Sequence, residues 1–112
     1  MITVNYDVFS DESFKNYLNF LIGQLYKSLC LKEDDDKNLI SYLESLNREL
    51  IGSKELIIFL KNDARFISML TKIQYLISEP NTTHKIFKKE IFACISIVQK
   101  LLEKNGGEVR WV

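Results

Sequence analysis

The chain has 112 residues, of which 46% are hydrophobic and 27% are charged, and its 15 basic residues balance 15 acidic ones. This length predicts one domain that can bury a core without disulfides or metals, and the composition lacks the low hydrophobicity and high net charge of disordered chains. The zero net charge argues against a protein dedicated to nucleic-acid binding, because such proteins usually carry a basic excess.

The N-terminal segment is the first predicted element. Residues 3–9 partly alternate between apolar and polar types, which is typical of a short strand. The tail at 108–112 is also strand-like, and the two ends could pair with each other or lie as extended arms across the helices; we favour arms. The N-terminus lacks the basic region and apolar run of a secretory signal, so we expect the protein in the cytoplasm.

A long helix is predicted from a cap at Ser10 to about Leu31. Its apolar residues recur at helical spacing and form one stripe: Phe14, Leu18, Leu21, Leu25 and Leu29. Residues 32–37 interrupt this pattern with charged side chains. We interpret them as a polar loop whose last aspartates cap the next helix.

Two helices are predicted in the middle of the chain. The second helix spans about residues 36–51 and ends at Gly52, which suits the left-handed conformation that closes many helices. Ser53 is placed to cap a short third helix over residues 54–60. By composition this apolar run could also be a buried strand, and we favour a helix because both neighbours are helical.

The fourth and fifth predicted helices flank the only proline. The fourth begins at Asn62 or Asp63 and ends before Pro80, because the residue before a proline resists helical geometry. Thr82 or Thr83 then caps the fifth.

The last helix, residues 86–102, is predicted to be the centre of the fold. Its stripe at helical spacing consists of Phe87, Ile91, Cys94, Ile95, Val98, Leu101 and Leu102. Phe92 and Ile97 lie off this stripe, and a helix that is apolar around much of its circumference is normally surrounded by other helices. The sequence therefore predicts a single all-α domain over residues 1–112, a compact bundle of about five helices with the C-terminal helix central and short extended arms.

Residues for catalysis or metal binding are scarce. His84 is the single histidine, and the two cysteines, Cys30 and Cys94, are far apart in apolar helical runs. A zinc site needs three or four compatible ligands, and a nucleophile would need His84 as its base, so we predict no metal site, no cofactor and no enzyme activity. The cysteines are expected to be buried and reduced, although a disulfide between them remains an alternative.

The surface feature that we favour for recognition is an acidic cluster. It consists of four consecutive residues: Glu33, Asp34, Asp35 and Asp36. Asp11 and Glu12 would extend it if the helix ends meet. A local negative patch on a neutral protein suits a basic protein partner and speeds their encounter. We therefore predict these four residues to be the partner-binding site.

The function that follows is a non-catalytic protein-binding module, most simply a stoichiometric inhibitor. In size and general character the chain resembles the small helical immunity proteins that neutralise bacterial toxins, which implies a basic nuclease as one candidate partner. No motif carries this resemblance, so it names no family.

Two alternatives use other surfaces. The basic residues His84, Lys85, Lys88 and Lys89 suggest a small regulator that binds nucleic acid through the last helix. A purely structural or self-associating helical protein is the third hypothesis, with residues 56–60 as a candidate dimer surface. The sequence leaves the oligomeric state open.

Overall fold

The apolar stripes of the sequence become four long helices in the computed structural model, which describes residues 2–3, 8–9, 11–56 and 63–104. The helices are α1 (Asp11–Glu33), α2 (Leu39–Leu56), α3 (Ala64–Ser78) and α4 (His84–Lys104). Two strands of two residues each, β1 (Ile2–Thr3) and β2 (Val8–Phe9), precede them.

The four helices form a bundle in which each one packs against its two neighbours around a ring. The main contacts are α1 with α2, α2 with α3, α3 with α4, and α4 with α1, and the last closes the ring. Cross-helix pairs show antiparallel packing: the Tyr42 hydroxyl donates to the Gln24 carbonyl at 3.0 Å, and Lys72 Nζ lies 3.3 Å from Glu90 Oε1. Short connections therefore give the antiparallel neighbours that the sequence predicted.

The core includes most of the residues in the predicted stripes of the first and last helices; only Leu29 and Leu102 of those stripes are partly buried. Nineteen buried apolar side chains form one cluster, with four from α1, four from α2, five from α3 and six from α4. Because α4 supplies the largest share, replacing its buried side chains with alanine should be among the most destabilising substitutions in the chain.

The prediction that the last helix is surrounded was wrong. Helix α4 has its main contacts with α1 and α3, and residues off its buried stripe such as Ser96 and Gln99 are exposed. Phe92 is 43% exposed and Ile97 is half-buried. These are the two residues that lie off the buried stripe, so one face of α4 is enough to build the core.

The described residues contain four helices, not about five, because α2 does not stop at Gly52. Gly52 is helical and exposed, and the next residue, Ser53, is buried. The Ser53 hydroxyl donates to the Glu49 carbonyl at 3.1 Å and also hydrogen-bonds the Tyr17 hydroxyl of α1. Burial raises the pKa of Tyr17 to about 12. Ser53 thus binds α2 to α1 instead of capping a new helix, and the rest of the predicted third helix, beyond Leu56, lies outside the described residues.

The predicted caps of the last two helices are confirmed. Asp63 Oδ1 accepts from the backbone N–H groups of Arg65 and Phe66, at 2.9 and 3.1 Å. Thr83 Oγ1 accepts from the backbone N–H of Ile86 at 3.2 Å. Both side chains satisfy amides that the first turn of a helix leaves free.

Residues 2–3 and 8–9 form two short paired strands and not the single extended arm that the sequence favoured. Strands β1 and β2 pair antiparallel, with Ile2 opposite Phe9 and Thr3 opposite Val8. The strand-like tail at 108–112 and the predicted cap at Ser10 lie outside the described residues.

The two cysteines differ in their surroundings. Cys94 is fully buried and burial raises the pKa of its thiol to about 12, whereas Cys30 is exposed, so the prediction that both are buried holds for Cys94 alone. Both are free thiols and form no disulfide. Among the described helices, none combines the length and the hydropathy that a membrane crossing requires.

Candidate functional site

The predicted acidic cluster lies where α1 ends and the chain turns towards α2. The backbone N–H of Asp36 donates to the Leu31 carbonyl at 2.9 Å, and that of Asp35 donates to the Lys32 carbonyl at 3.1 Å. This pair of bonds is the Schellman arrangement that closes many helices. Asp35 occupies its left-handed position with φ 50°, where glycine is the usual residue. We call Glu33, Asp34, Asp35 and Asp36 the acidic turn.

The four carboxylates of the acidic turn have two different roles. Asp36 is half-buried, and its Oδ1 accepts from the backbone N–H of Asn38 at 2.8 Å, one residue before α2 begins, so it stabilises the turn that leads into α2 and does not bind the first amides of the helix as the sequence predicted. Glu33, Asp34 and Asp35 are exposed. Within the described chain, the side chains of Glu33 and Asp34 form no hydrogen bond or ion pair. Three of the four predicted residues are therefore available for a partner.

These three exposed acids lie at the unfavourable end of a helix. A helix carries partial negative charge at its C-terminus, where cations are stabilising and anions are not. Glu33 is the last residue of α1, and Asp34 and Asp35 follow it directly. Their position lowers the stability of the fold, which is a reason to look for a role in recognition.

Asp11 and Glu12 do not extend the acidic turn. They begin α1, whereas Glu33 ends it, and a helix of 23 residues is roughly 35 Å long. The two acidic groups therefore lie at opposite ends of the bundle. The expected larger patch was wrong because one helix separates its halves.

The basic cluster of the last helix lies beside the acidic turn. His84 begins α4, and its Nε2 is 3.0 Å from the Lys32 carbonyl and 3.7 Å from Asp35 Oδ1. Because a carbonyl oxygen can only accept, this hydrogen bond requires a proton on Nε2. Lys85, Lys88 and Lys89 follow on α4 and are all exposed. Antiparallel packing of α1 and α4 thus brings the two predicted recognition surfaces together at one end of the bundle.

A groove runs between the end of α1 and the start of α4 at this place. The residues that line it are Leu29, Lys32, Glu33, His84, Lys85, Phe87 and Lys88. The Lys32 ammonium lies 5.6 Å from the centre of the Phe87 ring, so one cation is already held against an aromatic face. The other cations of the groove remain exposed, and Glu33 contributes the single carboxylate of the lining.

His84 lies at the surface of this end of the bundle. His84 is 57% exposed and hydrogen-bonds a backbone carbonyl, an arrangement that leaves it on the surface, as the sequence predicted. In the ranges that the structure describes, no three histidine, cysteine or carboxylate side chains come together as a metal site.

We expect Asp35→Gly to raise the free energy of unfolding by about 1 kcal/mol, because glycine has no Cβ to crowd a left-handed backbone. The exposed contact between Asp35 and His84 contributes little that would offset this gain. Asp34→Gly is the matched control, since Asp34 has no positive φ. Urea denaturation of both variants tests the prediction, and a loss of stability in Asp35→Gly would contradict it.

In comparisons with known proteins, no family model, no curated protein and no solved structure matches this chain.

Proposed function

We propose that this protein is a non-catalytic protein-binding module, a stoichiometric inhibitor of the kind that includes toxin-neutralising immunity proteins, and that it binds a basic partner through the acidic turn. The observation that carries the proposal is the display of three exposed carboxylates on a hydrogen-bonded turn: Glu33, Asp34 and Asp35. The turn is held by the end of α1 on one side and by the hydrogen bond between Asp36 and the backbone N–H of Asn38 on the other. A turn whose backbone is already hydrogen-bonded loses little backbone conformational entropy when it binds.

The energetics of the turn support a role in binding. An aspartate at a left-handed position and three acids at the negative end of a helix are each unfavourable for folding. A basic protein surface would relieve the repulsion among these acids and the helix end. The electrostatic part of the free energy lost in the isolated protein would then be recovered in the complex.

The experiment that tests the proposal is capture of partners from the native lysate in about 0.5 M salt, which screens weak surface attraction. We expect one basic protein in stoichiometric amount on the wild-type bait. A bait with Glu33→Gln, Asp34→Asn and Asp35→Asn should lose it, because all three exposed charges of the turn are removed. Asp36 is left intact in this variant since it stabilises the turn that leads into α2.

The matched control carries the same change of charge at three exposed acids outside the turn: Glu12→Gln, Glu44→Gln and Glu103→Gln. It should retain the partner. Thermal unfolding separates a binding defect from a folding defect, because the turn variant should be at least as stable as the wild type. Equal retention of the partner by both triple variants would refute a role for the acidic turn.

A second candidate function is a small nucleic-acid-binding regulator that uses the lysine face of α4. The observation in its favour is that Lys85, Lys88 and Lys89 are all exposed at the start of this helix. In the same capture experiment, recovery of nucleic acid at low salt alone, with no protein partner, would favour this function.

A further inference from the structure

Two aromatic rings lie on the surface next to the groove between α1 and α4. Tyr26 is 45% exposed and Phe92 is 43% exposed. Their ring centres are 6.0 Å apart and the ring planes meet at 79°, an edge-to-face arrangement that bridges the two helices. A flat apolar group can stack on exposed rings of this size.

These rings continue the basic groove by one helical turn. Phe92 follows Lys88 by four residues on α4, and Tyr26 precedes Leu29 by three residues on α1, so each ring shares a helix face with a residue that lines the groove. From His84 to Phe92 the surface extends roughly 12 Å along α4. We call the groove together with Tyr26 and Phe92 the aromatic–lysine groove.

We propose that the aromatic–lysine groove binds single-stranded nucleic acid. The ammonium groups of Lys85 and Lys88 contact backbone phosphates, and bases stack on Phe92 and Tyr26. This pairing of a cationic track with exposed aromatic faces is the arrangement by which proteins hold single strands without reading sequence. The proposal rests on the second candidate function above and names its site, and it does not depend on a partner for the acidic turn.

The positive charge of the groove would admit either nucleic acid or an acidic protein, and the exposed rings decide between these two occupants. Both would be attracted to Lys85 and Lys88, but a nucleic acid places a flat base beside each phosphate, which matches rings one turn from lysines. The neighbouring Glu33 and Asp35 repel phosphates. We therefore expect weak, salt-sensitive binding, with Glu33 acting against it.

The test is fluorescence anisotropy of a labelled oligothymidine of about 12 nucleotides at low salt, a length within the range that one small module covers. We expect saturable binding by the full chain. Phe92→Leu should weaken it about tenfold, because leucine keeps an apolar side chain but removes the stacking face. Lys88→Gln should weaken binding and reduce the slope of log affinity against log salt by about 1.

Matched variants control for general effects. Tyr75→Leu removes an aromatic ring that is 45% exposed on α3, and Lys100→Gln removes an exposed lysine near the far end of α4. Both should leave the affinity nearly unchanged. Glu33→Gln should strengthen oligothymidine binding, whereas the proposed acidic-turn function requires the same variant to weaken binding of the basic protein. The two proposals therefore fail independently.

Three results would overturn the nucleic-acid site. The first is no saturable binding at low salt. The second is equal effects of Phe92→Leu and Tyr75→Leu, or of Lys88→Gln and Lys100→Gln. The third is binding of a labelled polyglutamate of the same length as tightly as oligothymidine, which would assign the groove to an acidic protein segment.

Discussion

Replacing Phe66 with alanine is expected to lower the free energy of unfolding by about 3–5 kcal/mol. Phe66 is fully buried in the first turn of α3, and it is among the largest side chains of the core. Its removal forfeits buried apolar surface and leaves a cavity that the surrounding helices can fill only in part. For a small domain this loss is a large fraction of the total stability.

The control is the next residue along the chain. Ile67 is 42% exposed on the same helix, so Ile67→Ala should change the free energy of unfolding by less than about 1 kcal/mol. Urea denaturation followed by circular dichroism measures both variants. Similar losses in the two would contradict the assignment of which face of α3 is buried.

Stability is expected to fall steeply above pH 9, and Cys94 is a main cause. Burial raises the pKa of its thiol from 9.0 to about 12, because a thiolate would lose its hydration among apolar side chains. In the unfolded chain the thiol releases its proton near pH 9, while the folded protein retains it. The contribution of the protonated thiol to the free energy of unfolding is therefore fully present below pH 9. It is lost as the pH rises towards 12, by roughly 4 kcal/mol at most.

Cys94→Ala isolates this contribution. The variant is less stable than the wild type at pH 7 because it loses buried sulfur, but the difference should shrink as the pH rises from 9 towards 12. Tyr17, whose pKa is also raised to about 12, destabilises both proteins equally in this range. Cys30→Ala, at an exposed site, should follow the wild type at every pH. Parallel curves for wild type and Cys94→Ala would refute the buried, protonated thiol.

Local patterns predicted most of the fold. The stripes of α1 and α4 define the buried faces of these helices, and the caps at Asp63 and Thr83 follow from chemistry within one helical turn. The error at Gly52 has a different origin. The hydrogen bond between Ser53 and Tyr17 joins residues 36 positions apart, and such a contact between helices outweighs the roughly 1 kcal/mol that glycine costs inside a helix.

The candidate site was predictable in composition but not in arrangement. The run of acids is visible in the sequence, whereas the left-handed backbone of Asp35 is not, because that position usually holds glycine. The approach of His84 to Lys32 joins residues 52 positions apart. Likewise, the pairing of Tyr26 with Phe92 depends on the register between α1 and α4, which helical periodicity does not determine.

The acidic turn and the aromatic–lysine groove share one end of the bundle, so their charges are coupled. His84 Nε2 lies near the carboxylate of Asp35, and Glu33 lines the groove. A cationic or an anionic ligand therefore lies close to protein groups of its own charge, which repel it. Removing acids should favour anionic ligands and disfavour cationic ones, which makes Glu33 the residue whose substitution best separates the two proposals.

The affinity of the captured protein partner, measured by calorimetry with purified components, tests the central proposal most directly. We expect the variant with Glu33→Gln, Asp34→Asn and Asp35→Asn to bind at least about tenfold more weakly than wild type, with one partner per chain, while the variant with Glu12→Gln, Glu44→Gln and Glu103→Gln binds as wild type does. Equal affinities for all three proteins would contradict the proposal that the acidic turn is the binding surface.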